Sequence, residues 1–143
     1  MKIGRTKRAF TLAEILIVIV IIGILASIAL PNYYKTIERS HLRDAENNLM
    51  AIHAANRIFF TETGDYWPNG GPFYLTDINN NLRLSIVANG FTYFCLGSAP
   101  LNFYVCVADR DPAATPRYRV TVTQVPINPG VNPICSAMSE PCP

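Results

Sequence analysis

Polar and apolar positions fall into two regimes along the first part of the chain. From Ile15 to Leu30, sixteen residues run with Ser27 as the only clearly polar side chain. Counted from Phe10 the stretch is 21 residues, and a membrane-spanning helix needs roughly 20 mainly apolar ones. Beyond Pro31 the run becomes a stripe. Leu42, Ala45, Leu49, Ile52 and Phe59 recur at three-, four- and seven-residue spacings, and Asn56 breaks the pattern. Arg39, Arg43, Asp44, Glu46, Asn47 and Arg57 fill the other faces. No Gly or Pro interrupts the chain from Asn32 to Thr63. The spacing predicts a nearly continuous helix from about Phe10 to about Phe60, roughly 75 Å long at 1.5 Å per residue. A small domain cannot bury such a helix. Its first half needs membrane or other subunits, and its second half supports a domain.

Turn chemistry ends the helix at Thr63–Pro72, where Gly64, Pro68, Asn69, Gly70, Gly71 and Pro72 cluster. A connecting loop is expected to about Asn81, pinned to its own domain by Tyr66, Trp67, Phe73 and Tyr74. Leu82, Leu84 and Ile86 alternate, which fits a strand or a short helix. Phe91–Leu96 and Asn102–Val107 flank a short turn containing Gly97 and Pro100, a hairpin signal. In Arg117–Val125, Tyr118, Val120 and Val122 share one face, and Arg119, Thr121 and Thr123 the other. The tail holds Pro126, Pro129, Pro133, Pro141 and Pro143 and is expected to be irregular. The fold class is α+β: a long N-terminal helix packed through its second half on a small antiparallel sheet of three or four strands.

Length and charge narrow the picture. The 143 residues suffice for one modest domain, and a 50% hydrophobic fraction argues against a mainly disordered chain. The net charge of +2 is too small to signal nucleic-acid binding. It is also uneven, because Lys2, Arg5, Lys7 and Arg8 lie within the first nine residues. Without them, 12 − 4 = 8 basic groups face 10 acidic ones, a formal −2. Positive charge ahead of the apolar run keeps the N-terminus cytoplasmic and places the rest of the chain across the membrane. An ordinary signal peptide cut near Ala29 is the rival reading. Glu14 weighs against it. A lone charge in hydrocarbon costs about 2.5–3.5 kcal/mol on insertion scales, and a disposable leader gains nothing from that cost.

The order Lys7-Arg8-Ala9-Phe10-Thr11-Leu12-Ala13-Glu14, apolar run, Pro31 resembles the class III signal of type IV pilins and pseudopilins. Two positions depart from the family pattern: Ala9 replaces the usual Gly, and Ala13 replaces a large aliphatic residue. The resemblance implies cleavage between Ala9 and Phe10 by a membrane aspartic protease, the prepilin peptidase, followed by N-methylation of Phe10. It divides the chain into a leader, 1–9, a transmembrane and polymerisation helix, 10–31, and a periplasmic or extracellular pilin-like head, 32–143. In a filament, Glu14 of one subunit would neutralise the Phe10 amine of its neighbour and set axial register. Gly23 would permit close helix approach, and Pro31 would loosen the helix. The implied partners are related subunits in a helical filament, an inner-membrane assembly platform and, before assembly, the lipid bilayer. The implied locations are the inner membrane for the single-pass precursor and a cell-surface pilus after assembly.

Four cysteines in an exported domain favour disulfides and admit three pairings. Cys95–Cys106 links neighbouring strands. Cys135–Cys142 closes a C-terminal loop and resembles the disulfide-bounded region near the end of many type IV pilins. Spacing alone leaves the other pairings open. Spacings of 11, 29 and 7 lack the tight pairs of structural zinc sites, and no metal, cofactor or catalytic group is expected. His41 and His53, twelve residues apart, fit surface positions. Asp109-Arg110-Asp111 before Pro112 reads as a solvated turn, with calcium binding as the sharper alternative. Arg117 and Arg119 make too weak a patch for DNA. The leading function is a structural subunit of a type IV pilus. The alternatives are a type II secretion pseudopilin and a small secreted binding module or enzyme.

Overall fold

The uninterrupted helical pattern folds as one element, α1 (Leu12–Thr63). It starts two residues later and ends three later than the sequence spacing suggests, and it continues through Pro31. The computed structural model describes residues 11–98, 102–111, 113, 116–124, 132–138 and 142–143. It falls into two units, Met1–Ile37 and Glu38–Pro143.

In the second unit, the stripe on α1 meets a five-stranded antiparallel sheet. Its strands are β1 (Phe73–Tyr74), β2 (Phe91–Ser98), β3 (Phe103–Arg110), β4 (Tyr118–Thr123) and β5 (Ile134–Ala137), in the order β1-β2-β3-β4-β5. Alternation assigns the faces. Phe91, Tyr93 and Cys95, then Tyr104, Cys106 and Ala108, then Tyr118, Val120 and Val122 point inward onto Ala45, Leu49 and Ile52. Each fully buried aliphatic side chain of this kind contributes about 1.5–3 kcal/mol.

The inner tyrosines add direction to this contact. Tyr93 accepts a hydrogen bond from Asn48 Nδ2 at 3.0 Å. The Tyr104 hydroxyl meets His53 Nδ1. The Tyr118 hydroxyl donates to the Glu38 carbonyl at 3.4 Å. One tyrosine from each central strand thus finds a polar partner on α1. Burial raises the pKa of the Tyr93 and Tyr104 phenols. It also pushes that of Tyr118 up to about 12, with the Glu38 charge as the second cause.

Asn56, the break in the apolar stripe, is fully buried. Its Oδ1 accepts from the Trp67 N–H at 2.8 Å, and its Nδ2 donates to the Trp67 carbonyl. One amide thereby satisfies both peptide groups of a buried loop residue. Asn56→Ala should cost about 2–4 kcal/mol, because two buried peptide groups lose their partners at once. Chemical denaturation of the full chain in detergent measures this. A cost below about 1 kcal/mol would contradict the pairing.

Several expectations need correction. The connecting loop expected to Asn81 contains β1 and a helix, α2 (Leu75–Leu82). Asp77 accepts from the Tyr74 N–H at 3.2 Å at its start, and Ile78 and Leu82 bury one helical turn apart. Leu82 therefore belongs to this helix rather than to a strand. Leu84 and Ile86 lie in an extended segment outside the sheet, where the Asn79 side chain pairs with the backbone of Ile86. Gly97 lies within β2 rather than in the hairpin turn. The tail is not wholly irregular: β5 pairs antiparallel with β4. Among the described residues the sheet has five strands rather than three or four. Both added strands are short edges whose partners, rather than their own alternation, define them.

Candidate functional site

The candidate site is the N-terminal part of α1. Each large apolar side chain from Leu12 to Leu30 is at least 50% exposed. The segment is long and apolar enough to cross a membrane, with none of its most hydropathic window buried. Ser27 hides its hydroxyl by donating to the Ile24 carbonyl at 2.7 Å. Nothing lies within 4 Å of where a Gly23 Cβ would stand, so that face is open to a close neighbour.

Glu14 sits in the first turn of α1. Its carboxylate accepts from the Thr11 N–H at 2.8 Å and from the Thr11 hydroxyl at 2.9 Å, and the Glu14 N–H donates to Thr11 Oγ1 at 3.3 Å. This reciprocal pattern is a capping box, which satisfies helix-start donors that would otherwise lack partners. The Thr-x-x-Glu spacing was its sequence signal, and a reading of Glu14 as a charge awaiting an intermolecular partner passes over it. Ala9 and Phe10, the expected cleavage and methylation positions, lie outside the described residues.

The head carries its own polar fixtures. Arg110 Nη2 and Nε bind Glu38 at 2.9 and 3.2 Å, and Nη1 donates to the Gly90 carbonyl at 2.8 Å. The guanidinium also lies over the Phe91 ring, 5.3 Å from its centroid. Burial works against the Arg110 charge, but the Glu38 carboxylate outweighs it and the pKa is raised. Asp109 and Arg110 are strand residues, not a solvated turn. Asp109 is bound by Arg119 through two contacts of 2.6 and 2.7 Å, and Asp111 accepts from the Ala113 N–H. Pairing across β3 and β4 thus occupies Asp109, one of the groups considered for calcium, and Arg119, one of the two considered for DNA. Among the described residues no cluster of three or more metal-ligating side chains occurs.

The cysteines are joined as Cys95–Cys106 and Cys135–Cys142. The first pair sits at directly opposed positions of β2 and β3, inside the core. The second ties β5 to the chain end.

His53 is not a simple surface residue. It is half-buried against Tyr104, with ring centroids 6.1 Å apart. Burial lowers its pKa, and the Arg57 charge lowers it further. The unfolded chain therefore takes up a proton near the ordinary histidine value of about 6.5, before the folded chain does. Stability should be full above that pH and fall as pH drops toward the lowered folded value. Melting temperatures between pH 7.5 and 5 read this, and His53→Gln should flatten the fall. An equal fall in the variant would contradict the assignment.

A long N-terminal helix on a small antiparallel sheet is the pilin fold. Residues 4–30 match the family model for the prokaryotic N-terminal methylation motif. The type IV major pilin protein PilA of Myxococcus xanthus is 49% identical over 60 residues, 42% of this chain and 27% of that protein. The fimbrial protein EcpC of Eikenella corrodens is 41% identical over 87 residues, 59% of this chain and 56% of that one. The type II secretion system core protein G of Escherichia coli is 37% identical over 60 residues, 42% of this chain and 41% of that one. No solved structure matches. The matched region spans about a quarter to just over half of these curated relatives. The chain belongs to the type IV pilin and pseudopilin family, whose members are structural and not enzymes.

Proposed function

We propose that this chain is a structural subunit of a type IV pilus, made as a single-pass inner-membrane precursor with its head outside the cytoplasm. Prepilin peptidase removes residues 1–9, Phe10 is methylated, and residues 10–31 pass from lipid into a filament of related subunits. An inner-membrane platform carries out the transfer. The observation that carries this reading is the unburied apolar surface from Leu12 to Leu30 in a chain whose head has a core of its own. Such a surface needs two successive apolar surroundings, bilayer and neighbouring helices.

Glu14 supplies register. Its Thr11 contacts satisfy the carboxylate until a neighbour's Phe10 amine replaces them, and a misplaced subunit leaves that amine unpaired. Glu14→Gln should leave membrane insertion intact and lower the yield of sheared filaments several-fold. Electron microscopy and immunoblotting of the sheared fraction measure this, and a normal yield would overturn the role.

The second reading is a type II secretion pseudopilin, favoured by the likeness to core protein G. The higher identity to PilA and EcpC, 49% and 41% against 37% for the Escherichia coli core protein G, and the disulfide-bounded C-terminal loop support the pilus instead. Subunits found only with membranes, and never in a sheared fraction, would favour the pseudopilin.

A further inference from the structure

The apolar run ends in a feature that neither the head nor the run itself uses. Tyr33 and Tyr34 are 63% and 65% exposed, with ring centroids 6.3 Å apart at an interplanar angle of 65°. Among the described residues neither hydroxyl has a hydrogen-bond partner, and the adjacent exposed Lys35 has no ion-pair partner. Two large aromatic rings side by side on a bare helix normally find a surface to lie against. Tyrosine suits a boundary where the ring is in apolar material and the hydroxyl is wet.

We propose that Tyr33 and Tyr34, with Lys35, form the outer depth anchor of the precursor, docking in the glycerol and headgroup layer of the outer leaflet of the cytoplasmic membrane. This rests on the membrane-precursor reading given above. Helix geometry favours this occupant. Glu14 and Tyr33 lie nineteen positions apart on one helix, which at 1.5 Å per residue is about 28 Å. A bilayer's hydrocarbon core is about 30 Å thick. Rings held at the outer boundary therefore leave Glu14 at the inner boundary, where its carboxylate reaches water. Lys35, one residue further out, can extend its amine toward lipid phosphates.

The anchor matters most after leader removal. The four basic residues on the inner side, Lys2, Arg5, Lys7 and Arg8, then leave with the leader. The uninterrupted apolar run, Ile15–Leu30, is only about 24 Å long and underfills the core. With the leader's four charges gone, the tyrosine pair at the outer side is opposed at the inner side only by Glu14 and the new Phe10 amine. Loss of the pair lets residues 33–34 enter hydrocarbon, and the helix slides inward by about two residues, or about 3 Å.

The test uses the leader-free chain, residues 10–143, in vesicles of phosphatidylethanolamine and phosphatidylglycerol brominated at successive acyl positions. Tyr33→Trp and Tyr34→Trp report ring depth, and the unmodified chain supplies the Trp67 background. The expected result is quenching greatest for the shallowest bromines. A Leu25→Trp reporter carrying Tyr33→Ala and Tyr34→Ala should lie about 3 Å deeper than Leu25→Trp alone. Flotation with the vesicles is scored in the same samples. A chain that fails to float overturns the precursor reading and the anchor with it. A chain that floats with residue 33 and 34 tryptophans unquenched or quenched best at the bilayer centre, or with an unmoved Leu25→Trp, overturns the anchor alone. Quenching that depends on protein density rather than bromine depth assigns the rings to a second subunit and overturns the proposal.

Discussion

Gly97→Ala should prevent the head from reaching its native packing. An added Cβ would stand 1.6 Å from the Pro68 carbonyl oxygen and 2.8 Å from its carbon, both backbone atoms that no rotamer change can move. Pro68 is buried there, and the Gly97 N–H donates to the Gly70 carbonyl at 2.7 Å. The end of β2 and the 67–71 loop are thus held backbone against backbone. One side must give way, and the loop's other tether, Asn56 to Trp67, resists. The expected cost is at least about 3 kcal/mol, at the upper end for overpacking. For a head of this size that is a fall in Tm of more than about 12 °C. Gly23→Ala is the matched control: open space surrounds that position, so melting of the head should not change. Near-UV circular dichroism of the full chain in detergent reads both. Equal melting of Gly97→Ala and the unmodified chain would contradict the close approach.

The second large effect is expected at Arg110. Its side chain is 10% exposed and that of Glu38 16%, so removal of either partner leaves a largely buried charge. Arg110→Ala should cost about 3–5 kcal/mol, the usual penalty for breaking such a pair from one side. The Gly90 carbonyl loses a donor as well. Glu38→Leu combined with Arg110→Leu should recover much of the loss, because no charge then remains to be desolvated. Arg119→Ala removes a pair of similar geometry whose arginine is 40% exposed, and it should cost no more than about 1 kcal/mol. Denaturation midpoints across the double-mutant cycle separate these cases. Equal costs for Arg110→Ala and Arg119→Ala would show that burial does not set the strength of the clamp. Gly90 belongs to the same arrangement. It has φ +78°, and a Cβ there would stand 2.3 Å from Arg110 Nη1, so the turn before β2 and the guanidinium are fitted to each other.

Periodicity made much of this legible. The stripe on α1 and the alternation in β4 each carry a period that matches their burial, because one face of each meets the core, whereas the apolar run was legible from its length and β2 and β3 from their hairpin spacing. Asn56 was visible only as a fault in the stripe. Its role depends on Trp67, eleven residues away, whose peptide groups enter the interior with no strand to pair them. Short elements escaped notice for a similar reason. The two residues of β1 and the four of β5 are too few to show a period, and they exist because β2 and β4 offer edges. Gly97 read as a turn glycine because no local pattern shows that another backbone segment crosses it. Tyr118 was legible as sharing a face with Val120 and Val122, but the partners on α1 of the Tyr93, Tyr104 and Tyr118 hydroxyls depend on strand register. At the assembly helix, spacing drew attention to Glu14, while Thr11 passed unnoticed although the capping pattern joins them three residues apart.

The central claim is that the chain is processed at Ala9–Phe10 and leaves the membrane as a filament subunit. Mass spectrometry of the N-terminal peptide, in a sheared surface fraction and a membrane fraction from the same cells, tests it most directly. The account predicts a peptide beginning at Phe10 with one added methyl group, abundant in the sheared fraction. A mature chain beginning after Ala29, or an uncut chain beginning at Met1, would contradict it.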